Sequence, residues 1–340
     1  MTEKKPKILI GGGAGYIGTA LVPELIKDGY NVEVIDLLWF GNYLPKKVKV
    51  IEKDLLDLTV KDFKGVDVFI FLAGLSTDSM AEHSPSKNFI MNGALPAYLA
   101  YLAKVAGVKR FIYASSSSIY GNTKGKFFTE ADSTVSKYPY AISKLQGENG
   151  VMNLADENFS VISLRQGTVS GYSPRMRMDL VVNAMFKTAM LENKIVVNNP
   201  KIWRPLYGMQ DCIMAYCKVL DLPFSISGVF NVASQNYQVG EIGEKVKNKI
   251  KSLTNKEISI EVKYFADDRD YAMDFTKATK ELLFSPKQKV EDIVEELFMH
   301  KNEIGDLNND QYYNIRIFEK IVQKEEMHKR VIAEMDKFKY

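Results

Sequence analysis

The chain has 340 residues, enough for one large or two modest domains with an ample core. Its 45 basic and 42 acidic side chains nearly balance, with no long single-sign block, which argues against nucleic acid as a main partner. Two cysteines (Cys212, Cys217) make no disulfide framework and three scattered histidines no metal site, while no apolar run approaches the ~20 residues of a membrane span. No signal peptide is read at the N-terminus, so a soluble cytoplasmic protein without metal or membrane partner is expected.

In chain order, Lys7-Ile8-Leu9-Ile10 predicts a short strand that leads directly into Gly11-Gly12-Gly13-Ala14-Gly15-Tyr16-Ile17-Gly18. A helical apolar pattern follows at Ala20, Leu21, Leu25 and Ile26, then a strand, Asn31-Val32-Glu33-Val34-Ile35, ending on Asp36. Strand, glycine turn, helix, strand and acid is the order a dinucleotide site needs. Gly12, Gly15 and Gly18 allow a tight turn, close approach of the backbone to a pyrophosphate and close helix–strand packing. The N–H groups of the turn and helix start, through Tyr16 and Ile17, then face the phosphates. Asp36 suits the adenosine ribose hydroxyls and repels a 2′-phosphate, so NAD is favoured over NADP.

A third strand over residues 48–54 ends on Asp54, which either reaches the adenine amino group with its neighbour Leu55 or caps the next turn. Residues 66–74 form a buried strand that breaks at Leu72-Ala73-Gly74 and runs on into Leu75-Ser76-Thr77-Asp78. Residues 85–106 predict a helix with a Leu95, Leu99, Leu102 and Ala106 stripe. Lys109-Arg110-Phe111-Ile112-Tyr113-Ala114 is the next strand, running out into Ser115-Ser116-Ser117-Ser118-Ile119-Tyr120-Gly121. Such alternation means an α/β fold, a Rossmann-type doubly wound parallel sheet, with ligands at the carboxyl ends of its strands. Pro139 suits a first helical position, which puts Tyr140 and Lys144 one turn apart on one face. An ammonium beside the phenol would favour the phenolate, making Tyr140 a base for a substrate hydroxyl.

These stretches, GGGAGYIG, ASSSSIYG and YAISK in this order, resemble the extended short-chain dehydrogenases/reductases. More narrowly, they are similar to the NAD-dependent nucleotide-sugar epimerase/dehydratase group. The likeness continues through Leu164-Arg165-Gln166-Gly167-Thr168-Val169-Ser170-Gly171, Ser173-Pro174-Arg175-Met176-Arg177, Arg204, Asp211 and the segment from Asp268 to Asp274. It implies Tyr140 as catalytic base, Lys144 as its partner on the nicotinamide ribose, and Ser116 on the reacting sugar oxygen. It also implies Arg204 and Arg269 on the substrate diphosphate, with Ser76, Ser117, Ser118 and Thr168 toward the sugar. Dehydratases of the group carry an Asp-Glu pair where this chain has Ser117 and Ser118, which disfavours water elimination.

The expected layout is an NAD-binding domain over residues 1–165, with later strands returning near 225–235. A substrate-binding lobe over 166–300 and a helical tail over 301–340 complete it. Residues 301–310 read as a polar linker. Ile315, Phe318, Ile321 and Val322 form one face of the tail helix, continued by Val331, Met335 and Phe338; packing back on its own body is expected, gripping a partner subunit the alternative. The functional expectation is 4-epimerisation of a nucleotide-diphosphate sugar through a transient 4-keto sugar. The alternatives are a one-way dehydrogenase or ketoreductase with exchanging NAD(H), and a catalytically silent dinucleotide-binding protein. Relatives pair through helices near 86–106 and 139–157, so a homodimer is expected.

Overall fold

A computed structural model describes residues 5–267 and 269–336, the side chains of residues 328–336 excepted. Asp268, Phe338 and the Val331 and Met335 side chains therefore lie outside the described residues.

Seven strands form one parallel sheet: β1 (Lys7–Gly11), β2 (Asn31–Asp36), β3 (Lys49–Glu52), β4 (Val68–Phe71), β5 (Arg110–Ser116), β6 (Ser160–Gln166) and β7 (Gly228–Val232). Their spatial order is β7-β6-β5-β4-β1-β2-β3, every neighbouring pair parallel. Helices cover both faces, and the middle strands accordingly read as unbroken apolar runs; all four residues of β4 are buried. One face packs Ile8, Ile10, Val68, Ile70 and Ile112, the other Leu9, Phe69, Phe71, Phe111 and Tyr113. The chain order reverses between β1 and β4, which opens a crevice at their carboxyl ends.

The helical region before β5 is one continuous body with an irregular centre. Pro85–Asn88 is α-helical, Phe89–Ala94 is a π-turn, and Leu95–Val105 is α-helical again. Leu95, Leu99 and Leu102 are buried in the chain's own core rather than left for a partner. The exposed face of this body instead carries Ile90, Tyr98, Tyr101 and Val105.

Beyond β6 the alternation gives way to small sheets. Trp203–Gly208 lies between Gln235–Gln238 and Thr168–Ser170; Ser259–Lys263 pairs with Lys194–Asn198, and Asp270–Met273 with Asn122–Phe128. The Val181–Glu192, Val239–Thr254 and Val290–Met299 helices pack together beside them. Residues 301–310 are not a free linker: Lys301–Ile304 is a helical turn, and Ile304 and Leu307 are buried because they complete this apolar body. The tail helix, Asn314–Asp336, lies back on the same chain, with Phe318 fully buried among Leu75, Met80, Trp39 and Val322.

Among the described residues no helix is long and apolar enough to cross a membrane, and no cluster of His, Cys, Asp or Glu is suited to a metal. Cys212 is buried and Cys217 half-buried, both unpaired.

Candidate active site

A cavity of about 410 Å³ runs along the carboxyl edge of the sheet, within the size range of small-molecule sites. Parallel register builds it. Gly11 lies opposite Ile35 on one side and Phe71 on the other, so the first residues past β1, β2 and β4 arrive together. Gly12, Gly15, Tyr16, Ile17, Gly18, Asp36, Asp54, Leu55, Leu72, Ala73 and Gly74 all line one end.

Gly12 has φ +80°, and a Cβ there would sit 2.5 Å from the Ala73 nitrogen, so only glycine lets the turn pass the β4 loop. A Cβ at Gly15 would find only the Gly12 carbonyl within 4 Å, at 3.3 Å, which leaves this wall open to a bulky ligand. The Gly18–Lys27 helix has no side-chain cap at its N-terminus. Among the described residues the Tyr16 and Ile17 N–H groups have no backbone acceptor. An uncapped N-terminus beside a bare backbone wall is a cradle for phosphate, so the residues present fit a dinucleotide. The Asp36 carboxylate accepts from the Leu38 N–H at 2.8 Å and the Ala14 N–H at 2.9 Å. Burial raises its pKa, opposed by those N–H groups and the Arg175 charge. Asp54 both lines the cavity and caps its own turn, accepting from the Leu56 N–H at 2.9 Å.

At the other end stand Ser76, Asp78, Ser116, Ser117, Ser118, Tyr140, Lys144, Thr168, Arg177 and Tyr271. Pro139 begins the Pro139–Met152 helix, whose preceding residue is extended, and this aims Tyr140 from the first turn. Asn92, on the π-turn, donates to the Leu75 carbonyl at 2.8 Å and accepts from its N–H at 3.0 Å. It also meets Asn88 at 2.9 Å and Ser143 at 3.3 Å, tying the β4 loop to the Tyr140 helix through a fully buried network.

Burial pushes the Tyr140 phenol up to about 12, and the hydrogen-bonded Ser116 hydroxyl and the Arg177 charge oppose that rise, while Asp78 adds to it. Ser116 Oγ is held 2.8 Å from Ser118 Oγ. Lys144 shares the helix face and lies beneath the site. Its ammonium lies 4.4 Å over the Tyr113 ring, and burial pushes it down to about 7. Arg177 brings a charge that favours the phenolate; it is bidentate to Asp179 at 2.9 and 3.0 Å and donates to Ser76 Oγ at 3.3 Å.

Arg204 and Arg269 are brought together but do not line the cavity. Arg204 donates to the Trp203 and Arg269 carbonyls at 2.8 and 2.7 Å and lies behind Tyr271, 4.8 Å from its ring. Arg269 is paired with Asp267 at 2.6 Å and with Asp78. Each touches a lining residue from outside. The arginines in the wall are Arg175 and Arg177, with Trp39, Phe40 and Asn314. Their signal in the sequence was the likeness of Ser173-Pro174-Arg175-Met176-Arg177 to the family, which assigned the two arginines no role; Asn314, over a hundred residues on, had no local signal.

The model of the family described as "NAD dependent epimerase/dehydratase family" matches residues 8–233, about two thirds of the chain. The chain belongs to the NAD-dependent epimerase/dehydratase family. It is therefore an NAD-dependent enzyme of the nucleotide-sugar epimerase/dehydratase class, and the cradle above fits that cofactor. Among relatives, the UDP-glucose 4-epimerase of Bacillus subtilis (strain 168) is 28% identical over 323 residues, 84% of this chain and 94% of the relative. The uncharacterized UDP-glucose epimerase YtcB of the same organism is 29% identical over 245 residues, 66% of this chain and 76% of the relative. Among solved structures, UDP-glucuronic acid 4-epimerase from Bacillus cereus, in complex with UDP-glucuronic acid and NAD, superposes with TM-score 0.76 at 23% identity. That match covers 88% of this chain and 100% of the other, and it shows the same fold.

Proposed function

We propose that this family member is a nucleotide-sugar 4-epimerase. The observation that carries the reading is the half-buried, hydrogen-bonded Ser116–Tyr140 pair beside the Arg177 charge, with the buried hydroxyls of Ser117 and Ser118 where a dehydratase needs an acid and a base. Tyr140, as phenolate, takes the proton from the C4 hydroxyl, and Ser116 holds that oxygen in line. Bound NAD supplies the acceptor, and then the donor, of the C4 hydride. Arg177 stabilises the phenolate by its charge, and Lys144 is assigned to the nicotinamide ribose. The transient 4-keto sugar turns within the Ser76, Ser117, Ser118 and Thr168 wall, so that C4 is reduced on its opposite face while Tyr140 returns the proton to the O4 oxygen. Arg204 and Arg269 are assigned to the diphosphate, reached by exchanging their internal carboxylate and carbonyl partners for phosphate oxygens. The B. subtilis 4-epimerase, matched over nearly its whole length, supports the reaction type.

The test is purified protein with UDP-glucose and related nucleotide sugars, no NAD added, followed by NMR and by nicotinamide absorbance. Epimer with no net absorbance change is expected. Accumulating NADH would instead establish the one-way dehydrogenase, and binding without turnover the silent protein.

We also propose a cytoplasmic homodimer joined through Ile90, Tyr98, Tyr101 and Val105, which the fold leaves exposed together. Light scattering that finds only monomer would exclude it.

A further inference from the structure

The tail meets the cofactor cleft at one side chain. Asn314 is buried at the start of the tail helix and lines the cavity. Its Nδ2 donates to Ser76 Oγ at 2.7 Å, and its Oδ1 accepts from Arg175 Nη2 at 2.5 Å. Guanidinium only donates, so the amide orientation follows from its partners. Ser76 stands past β4 and Arg175 past the Thr168–Ser170 strand, so a single amide spans two banks of the cleft.

Other contacts hold that bridge in place. Phe318 packs on Trp39, with ring centroids 6.0 Å apart, and Trp39 is itself a wall of the cavity just past Asp36. Tyr43 donates to Gln311 at 2.9 Å, and the Met178 N–H to the Tyr312 carbonyl at 2.9 Å. Lys87 pairs with Glu325 at 2.7 Å on the outer side.

Arg175 supplies an independent observation. It is only 2% exposed, its guanidinium lies 3.7 Å over the Phe40 ring, and its Nε is buried without a partner among the described residues. A buried cationic donor left unpaired is costly, and in a cavity wall an anionic oxygen satisfies it. The nearby phosphate cradle at the glycine turn places a dinucleotide phosphate within the same cavity.

We propose that the tail is a clamp on the bound dinucleotide. Asn314 fixes Arg175, Arg175 Nε–H donates to a phosphate oxygen, and the helix closes the mouth so that NAD leaves only when the tail lifts. A cofactor that is restored in every cycle has no need to leave, so slow release suits an epimerase. The clamp itself requires only that NAD binds.

The test uses full-length protein loaded with radiolabelled NAD and chased with unlabelled NAD. Asn314→Ala is expected to release label about tenfold faster or more, the loss of one charge-assisted contact and its support. In a Cys217→Ser background, Lys87→Cys with Glu325→Cys, joined by a short bis-maleimide, is expected to release label at least about tenfold more slowly than the same protein unjoined. The crosslink arm decides the matter even where Asn314→Ala folds poorly. Equal release from joined and unjoined protein overturns the clamp, and so does wild-type release from folded Asn314→Ala.

Discussion

The two ends of the cleft hold their ligands by different physics. The cofactor end is mostly backbone: a glycine turn against Ala73, an uncapped helix N-terminus, and one carboxylate whose position two N–H groups fix. All of it comes from the first few strands and their loops. The sugar end is mostly side chains, and they come from distant segments: Ser76 and Asp78 past β4, Ser116 past β5, Tyr140 from a helix, Arg177 and Tyr271 from the lobe. There each buried charge shifts its neighbours, so a change at one residue is felt at another. Affinity for the dinucleotide and chemistry at the sugar are therefore separable, and four substitutions probe that separation.

The largest effect is expected at the sugar end. Tyr140→Phe keeps the ring and removes the proton acceptor, so turnover falls by about a thousandfold, measured by NMR of the epimers, while calorimetry finds NAD still bound. Ser116→Ala follows, with a loss of about a hundredfold. The Ser116 hydrogen bond pulls the phenol down, so its removal raises the phenol further and moves the rising limb of the pH–rate profile to higher pH. A profile that stays in place would show that Ser116 does not set the base.

Lys144 gives a stability prediction. Burial lowers its pKa from 10.5 to about 7, so between those values the unfolded chain holds a proton that the folded chain has lost. Stability of the NAD-stripped protein therefore rises with pH through that window and is fully relieved of this penalty above it. Lys144→Met removes the penalty: a gain of ~2 kcal/mol is expected at pH 9, larger at neutral pH and fading above the unfolded pKa, by denaturant titration. The smallest effect is at the cofactor end. Asp36→Asn is expected to weaken NAD about tenfold and to narrow the preference over NADP, by calorimetry with each dinucleotide.

This contrast also explains what the sequence made legible. The cofactor end could be read because strand, turn, helix and acid are consecutive, and the parallel sheet followed from the same alternation. Tyr140 and Lys144 could be placed on one helix face because four residues make about one turn. What sits around them could not, since the Tyr113 ring under Lys144 and the Arg177 charge beside Tyr140 arrive by tertiary packing. Arg204 and Arg269 drew attention through motif position, yet their donors are taken up by Asp267, Asp78 and backbone carbonyls, whereas Arg175 and Arg177 line the cavity. The tail's apolar face announced that it packs somewhere; that it reaches the cleft through Asn314 depended on contacts with Ser76 and Arg175.

Isotope retention tests the closed redox cycle most directly. A nucleotide sugar carrying deuterium at C4 is turned over by purified protein in the presence of unlabelled free NAD. The epimer is expected to keep its deuterium at C4, and the free nicotinamide pool to stay unlabelled. Deuterium in that free pool, with keto sugar as the product, would contradict the closed cycle.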